Sequence, residues 1–511
     1  MRVSSPRRAR ARAATAVLAA TAVLCSCGPP PPPPPATSPA TTPQAAPSTA
    51  PAPPIPPVAP DPAFAPIAPL IDAAIAAHRL PGAVVQVGHA GAIVYRQAFG
   101  ERKLAGEPGL DDRASPAEPM TADTLFDLAS LTKCLATTVA VLQLVEAGDV
   151  AVDEPVQTYL PEFNTEHDPL RAQVTLRMLL THTSGIGGDL SHQGPWGLTR
   201  PDKADGVHRA LTAPLEFGPG ERFHYSDIGF IILGALVEEL TGEPLDRYVP
   251  EHVFAPLHMT DTHYLPVAKA CGPHRVRGAV IAPDPDPDTD ADTRDCPDDA
   301  WSTALLARIA PTAHDGDTPG INPDFGALLR GTVHDPTARR MGGVAGSAGV
   351  FSTVHDVGLF AQALLDRLAG RPSPFPLSTA TLAAMTSPQQ PGRSPQQLVA
   401  ANDATRAATA ATPDRPDPLL APAYPAIAGQ DLRGFGWDID TPHSAPRGVV
   451  FPIGSVGHTG FTGVTIWIDP GSDTYVVVLA NVIHQPGGPP IAGLSGEIAT
   501  LAARALHLYG T

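Results

Sequence analysis

Two short apolar hairpins lie far apart in this chain, and they narrow the folds open to it. AVVQVG and AIVYRQAF, joined through His89-Ala90-Gly91, read as paired strands within 82–100. VTIWI and TYVVVLAN flank Asp469-Pro470-Gly471-Ser472 within 464–481. Strand pairs at both ends with helical stretches between them predict one sheet completed from both termini. Adjacent hairpins make such a sheet mostly antiparallel. The helices carry their own signals. Ile67, Leu70, Ile71, Ala74 and Ile75 share one face within 66–80. A second helix over 130–147 stops at Gly148, and a third over 226–240 stops at Gly242 with Pro244 beyond. A last helix, about 491–508, closes the chain. The expected fold class is α/β of the α+β kind: a mostly antiparallel sheet flanked by helices, with a helical subdomain from the middle of the chain.

The first 61 residues do not belong to that domain. Arg2, Arg7, Arg8, Arg10 and Arg12 precede an apolar run from Ala13 to Cys25, too short to span a bilayer and suited to an export signal over 1–26. Leu24-Cys25-Ser26-Cys27 resembles the bacterial lipoprotein box, which implies lipid on Cys27, although Cys25 is unusual at its position. Residues 27–61 are nearly all Pro, Ala, Thr and Ser, a composition that buries no core and favours an extended stalk. The expectation is export to a bacterial cell envelope with a membrane anchor at the N-terminus. Net charge falls from −17 to −22 when the leader takes away its five arginines and no acid. So acidic a surface repels phosphate and excludes nucleic acid as a partner.

Two stretches within 62–511 read as insertions. The run PDPDPDTDADTRDCPDD, within about 283–300, alternates aspartate but lacks the turn glycine and terminal glutamate of a calcium loop, so it reads as a solvated acidic loop. Residues 392–429, rich in Ala, Pro, Thr and Gln, read as a surface excursion. Cys271 and Cys296 flank the acidic run; pairing in an oxidising compartment and a reduced state are both open.

The chemistry concentrates in ASLTKCLATTV, residues 129–139. Ser130 and Lys133 are one helical turn apart and share a face, so the amine can reach the hydroxyl. A serine needs such a base to become a nucleophile, and the helix N-terminus beside it favours developing negative charge. Burial makes a lysine easier to deprotonate. The plain alternative is a capping serine and a lysine whose stem lies along the surface. Cys134 points away into the core. Two further segments belong with this pair. Phe223-His224-Tyr225-Ser226-Asp227 precedes a helix and offers the Tyr225 hydroxyl as a second proton carrier. Gly457-His458-Thr459-Gly460-Phe461-Thr462-Gly463 enters a strand whose glycines admit a substrate to its edge, with backbone N–H groups to hold an oxyanion.

Ser-x-x-Lys, then Tyr-x-Asn or a variant, then Lys-Thr-Gly or His-Thr-Gly, resembles the serine β-lactamase and penicillin-binding-protein superfamily, closest to its class C-like branch, which includes esterases of β-lactamase fold. The resemblance runs from about Ala65 to Thr511 and includes LRMLLTHTSGI, FGPGERFHYSDIGFIILG, RMGGVAGSAGVFSTVHD and GHTGFTGVTIWIDP. It implies that Ser130 is acylated, that Lys133 and Tyr225 share the proton transfers, that His458 and Gly460 line the substrate edge, and that the amides of Ser130 and Phe461 form the oxyanion hole. It implies no metal and no cofactor. Asp227 stands where lactamases usually carry Asn, and His458 where they usually carry Lys. Both changes weaken recognition of an anionic substrate, since histidine is mostly neutral at pH 7. The reading is therefore a carboxylesterase on neutral esters, with a β-lactamase or a D-amino-acid peptidase as alternatives, and a non-catalytic cell-wall binding or sensor domain as the alternative from another class.

Three other residues call for comment. Ser347, in Ala345-Gly346-Ser347-Ala348-Gly349, approximates a nucleophile elbow, but the extended Val350-Phe351-Ser352 after it lacks the required helix, so it is read as a loop residue near the pocket. His182 is read as a loop tie and Trp437 as a packing residue.

Overall fold

The computed structural model describes Val58 and residues 61–282, 296–411, 423–485 and 491–511. The leader, Cys27, nearly all of the stalk, and 283–295 of the acidic run lie outside the described residues. The main sheet has eight strands in the spatial order Leu432–Arg433, Asp438–Asp440, Val456–Gly460, Val464–Asp469, Thr474–Ala480, Gly82–His89, Ala92–Lys103 and Glu118–Pro119. All its pairings are antiparallel. The two hairpins meet in the middle: Gly82–His89 pairs with Thr474–Ala480 from Ala83 opposite Ala480 to His89 opposite Thr474. The termini complete the sheet as the hairpin pattern predicts.

Both faces of this sheet are apolar, because successive side chains alternate between two cores. On the central strands Val84, Val477, Leu479, Ile466 and Ile468 face one core. Ala83, Val85, Val87, Val476, Val478 and Trp467 face the other. The terminal helices Ile67–Ala76 and Ala492–Ala505 cover the second face through Ile67, Ile71, Ile498 and Ala502. The first face is covered by Val354–Leu368 and, beyond it, by the helical middle of the chain. Each fully buried aliphatic side chain in these layers contributes about 1.5–3 kcal/mol.

Local signals set the helix ends. Gly148 and Gly242 both adopt left-handed backbone after Thr138–Ala147 and Asp227–Thr241. Val354–Leu368 starts after Thr353, whose hydroxyl accepts from Asp356 N–H. A small sheet joins Phe126–Asp127, Val350–Ser352 and His263–Tyr264, with Asp127 opposite Phe351. Cys271 and Cys296 form a disulfide with Cα atoms 5.8 Å apart, which settles the pairing that the sequence leaves open; Cys134 is free and buried. Within 392–429, Gln396–Ala411 is a helix pinned to the domain by Asn402, whose amide donates to Ile453 O and accepts from Ile453 N–H. Among the described residues no helix is long and apolar enough to cross a membrane.

Candidate active site

Ser130 is presented by a strained turn. Ala129 has φ +44°, an unfavourable region for a residue with a Cβ, costing about 1–3 kcal/mol. The buried Asp127 carboxylate holds that turn: Oδ1 accepts from Ala129 N–H at 2.9 Å and Oδ2 from His334 N–H at 2.7 Å. Its own backbone carbonyl accepts from the Thr462 hydroxyl at 2.7 Å. One residue therefore ties together the Ser130 turn, the 334–335 loop and the loop after Gly460. Burial pushes the Asp127 carboxyl up to about 6 despite those two N–H donors. Downstream of Ser130 the chain winds through one wide π-helical turn, Lys133–Thr137, before the regular helix Thr138–Ala147, a distortion that recurs at functional sites.

Lys133 is completely buried. Its Nζ donates to Ser130 Oγ at 2.9 Å and to Ser347 O at 2.9 Å, and forms an ion pair with Asp227 Oδ1. Nζ also lies 5.2 Å from the centre of the Tyr225 ring, and the Tyr225 hydroxyl interacts with both Lys133 and Ser130. Ser347 takes part through its carbonyl, and its buried hydroxyl has no partner. That carbonyl reaches the amine because Gly346 packs directly on the helix Asp227–Thr241; a Cβ there would lie 2.0 Å from Phe230 O.

The expectation that burial frees Lys133 of its proton is corrected here. Burial does pull its pKa down, but the Asp227 carboxylate and Tyr225 outweigh that effect, and the amine is held above its ordinary value. The same pairing corrects the expectation that Asp227 repels substrate, because its charge is committed to Lys133. Burial holds the Tyr225 phenol above its ordinary value, although Lys133 opposes the shift.

Tyr225 rests on His182. Their ring centres are 4.3 Å apart and nearly parallel. His182 is the loop tie the sequence suggests: Nδ1 accepts from Ser226 N–H at 3.0 Å, and its carbonyl accepts from His224 N–H. Ser226 caps the following helix, and Asp227 N–H donates to Gly188 O. Burial, with Arg433 and Lys133 adding to it, holds His182 neutral.

His458 is buried behind Tyr225, ring centres 6.1 Å apart. Its Nδ1 faces Thr459 O at 2.8 Å, so that nitrogen donates; burial, then Arg433 and Lys133, keep the ring uncharged. Gly460 presses on the Ser130 turn, where a Cβ would lie 2.7 Å from Leu128 O. Phe461 is 75% exposed and stacks on His334, 5.9 Å between ring centres. Among the described residues, neither the Ser130 nor the Phe461 amide finds an acceptor in the turns around it.

The structure thus brings Ser130, Lys133, Tyr225 and Asp227 into contact, sets Gly460 and Phe461 against the Ser130 turn, and leaves His458 in the layer behind Tyr225. Sequence reasoning missed Asp127, Asp189, Asp335, Arg433 and the Ser347 carbonyl. Asp189, at the solvent side, donates its carboxyl proton to Asp227; partial burial and Asp227 push that carboxyl up to about 7. Asp335, half-buried, lies in the field of Asp227 and Lys133. Arg433 is buried beneath the Tyr225 ring, 6.0 Å from its centre. Asp127, three residues before Ser130 and ahead of a helix start, is the one with a local signal, an Asx turn.

A family model described as Beta-lactamase matches residues 67–492. The chain belongs to the Beta-lactamase family. Among the family's curated relatives, the "N-acetylmuramyl-L-alanine amidase" of Bacillus subtilis (strain 168) is 30% identical over 429 residues, 82% of this chain and 80% of that one. The "Putative D-alanyl-D-alanine carboxypeptidase" of Escherichia coli (strain K12) is 29% identical over 407 residues, 78% of this chain and 77% of that one. Among solved structures, unliganded simvastatin synthase (LovD) from Aspergillus terreus superposes with a TM-score of 0.57 at 23% identity, over 88% of this chain and 100% of that one. That likeness is one of fold. It agrees with the antiparallel sheet and flanking helices expected of a Beta-lactamase-family protein, and this is a family of serine hydrolases.

Proposed function

We propose that this chain is a carboxylesterase that forms an acyl-enzyme on Ser130 and acts on neutral esters. The observation that carries the reading is the 2.9 Å contact between Lys133 Nζ and Ser130 Oγ at a strained, open-sided turn, with the Tyr225 hydroxyl on the same two groups. Ser130 Oγ attacks the ester carbonyl, Lys133 and Tyr225 carry its proton to the leaving alkoxide, and water then hydrolyses the acyl-Ser130. The amides of Ser130 and Phe461 hold the oxyanion; one such donor contributes about 10²–10³ in rate.

Charge supports the neutral substrate. Lys133 is compensated by Asp227, His458 is uncharged, and Arg433 is buried beneath Tyr225. None of these leaves a free cation at the His458 edge to hold a carboxylate. A second reading, hydrolysis of D-amino-acid peptides or related cell-wall amides, is favoured by the names of the two curated relatives at 29–30% identity.

The test exposes the domain to a fluorescent fluorophosphonate, a fluorescent penicillin and a short-chain p-nitrophenyl ester. Labelling and ester turnover that vanish in Ser130→Ala support the esterase. Stable penicillin labelling supports the peptidase, rapid lactam turnover a lactamase, and no labelling a binding domain. We also propose that lipid on Cys27 anchors the exported chain to the cell envelope, on the strength of its leader. Cys27→Ala should then abolish incorporation of labelled fatty acid.

A further inference from the structure

A proton count at the site raises a question the esterase reading leaves open. Ser130 Oγ must lose its proton as it attacks, and both expected acceptors already hold theirs. The Lys133 amine is an ammonium that donates to Ser130 Oγ and Ser347 O, pairs with Asp227 Oδ1 and lies against the Tyr225 hydroxyl. Burial holds the Tyr225 phenol in its neutral form. The ion-pair partner of the amine in this contact chain is the Asp227 carboxylate.

We propose that Asp227 is the proton acceptor of the acylation step, acting through Lys133. This rests on the Ser130 reading above and deepens it. One proton passes from Lys133 Nζ to Asp227 Oδ1. The amine keeps two N–H bonds and gains a lone pair, which turns towards Ser130. That lone pair takes the Oγ proton as the bond from Oγ to the carbonyl carbon forms and the carbonyl π pair moves onto oxygen. When the intermediate collapses, the bond to the leaving alkoxide breaks. The alkoxide takes a proton from Lys133, and Asp227 returns its proton to the amine. Lys133 never exchanges its proton with bulk water.

The surroundings suit such a store. Lys133 is buried, whereas the Asp227 side chain is 22% exposed and accepts from the Asp189 carboxyl, which partial burial and Asp227 itself push up to about 7. The charged and titratable groups facing Lys133 are Tyr225 and Asp227 in contact, and Asp189, Asp335, His182 and His458 behind them, with Arg433 behind Tyr225. Burial keeps both histidines neutral, so neither supplies or takes a proton near neutrality.

The test is the pH profile of kcat/KM for a p-nitrophenyl ester in Asp227→Asn. The amide still accepts from Lys133 but cannot take its proton, and Ser226 still caps the helix. In the variant Lys133 must lose its proton to water before it can act. The acid limb should therefore move to higher pH. Activity should fall about 100-fold at about pH 6, the lower end of what a positioned base contributes, and recover towards wild type at about pH 9. If Asp227 only restrains Lys133 as an ammonium, the limb moves to lower pH or stays in place, and the proposal is overturned. Fluorophosphonate labelling of the variant at the higher pH checks that the site is intact. Wild-type protein that fails to label at Ser130 would overturn the Ser130 reading itself, and this one with it.

Discussion

Replacing Asp127 with alanine should destabilise the domain at pH 5, and by less at pH 8. The substitution orphans two buried N–H groups, Ala129 and His334, now held at 2.9 and 2.7 Å. Each unsatisfied donor costs about 1–3 kcal/mol, so the gross loss is about 2–6 kcal/mol. Wild type carries an opposing cost, because its carboxyl titrates at about 6 when folded and about 3.9 when unfolded. The folded state therefore holds a proton that the unfolded chain releases, and wild-type stability falls as pH rises from about 4 to about 6, then levels off. Linkage puts this cost at about 1.5 kcal/mol at pH 5 and about 3 kcal/mol at pH 8. Alanine removes it. Urea unfolding of both proteins at the two pH values should show the variant's deficit larger at pH 5 by about 1.5 kcal/mol. The rate of fluorophosphonate labelling should also fall in native buffer, because Ala129 no longer has an acceptor to hold its left-handed turn. A deficit independent of pH, or wild-type labelling in a destabilised variant, would refute the assigned role of this carboxylate.

Other expected outcomes are simpler to read. Gly346→Ala drives a methyl into Phe230 O and Gly234 N, 2.0 and 2.9 Å from the ideal Cβ, so the 346–347 segment that carries the Ser347 carbonyl must shift off the helix Asp227–Thr241; stability should drop by at least about 1–3 kcal/mol and labelling should slow, while a fully active variant would contradict that packing. Reduction of Cys271–Cys296 should lower the melting temperature, with about 2–4 kcal/mol at stake, and leave Ser130 labelling at 25 °C unchanged; calorimetry with and without reductant decides. His182→Phe keeps an aromatic platform under Tyr225 but strands the Ser226 N–H, so urea unfolding should report a loss of about 1–3 kcal/mol. Phe461→Ala, at an exposed ring, should change stability by less than about 0.5 kcal/mol.

What was legible in the sequence follows the range of each interaction. The hairpins, the helix stops at Gly148 and Gly242, and the Ser130–Lys133 spacing are local patterns, and each appears in the fold where it was read. Short motifs around Tyr225 and His458 identified segments that meet the Ser130 turn, but not what each side chain does there. The protonation of Lys133 is not legible, because an apolar sequence window shows its burial, whereas the carboxylate that overrides burial arrives from another helix. Ser347 shows the same limit: its hydroxyl invited comparison with a nucleophile, yet its carbonyl meets the amine from 214 residues away in the chain. Asp127 draws its importance from His334 and Thr462, both more than 200 residues downstream, which no spacing rule connects.

The most direct measurement of the central claim is intact-protein mass spectrometry of the domain caught during turnover of a slow ester, followed by peptide mapping. The account predicts an adduct equal to the acyl group on the peptide bearing Ser130, absent in Ser130→Ala and lost over time as water releases the acid. An adduct on the Ser347 peptide, or ester turnover undiminished in Ser130→Ala, would contradict it.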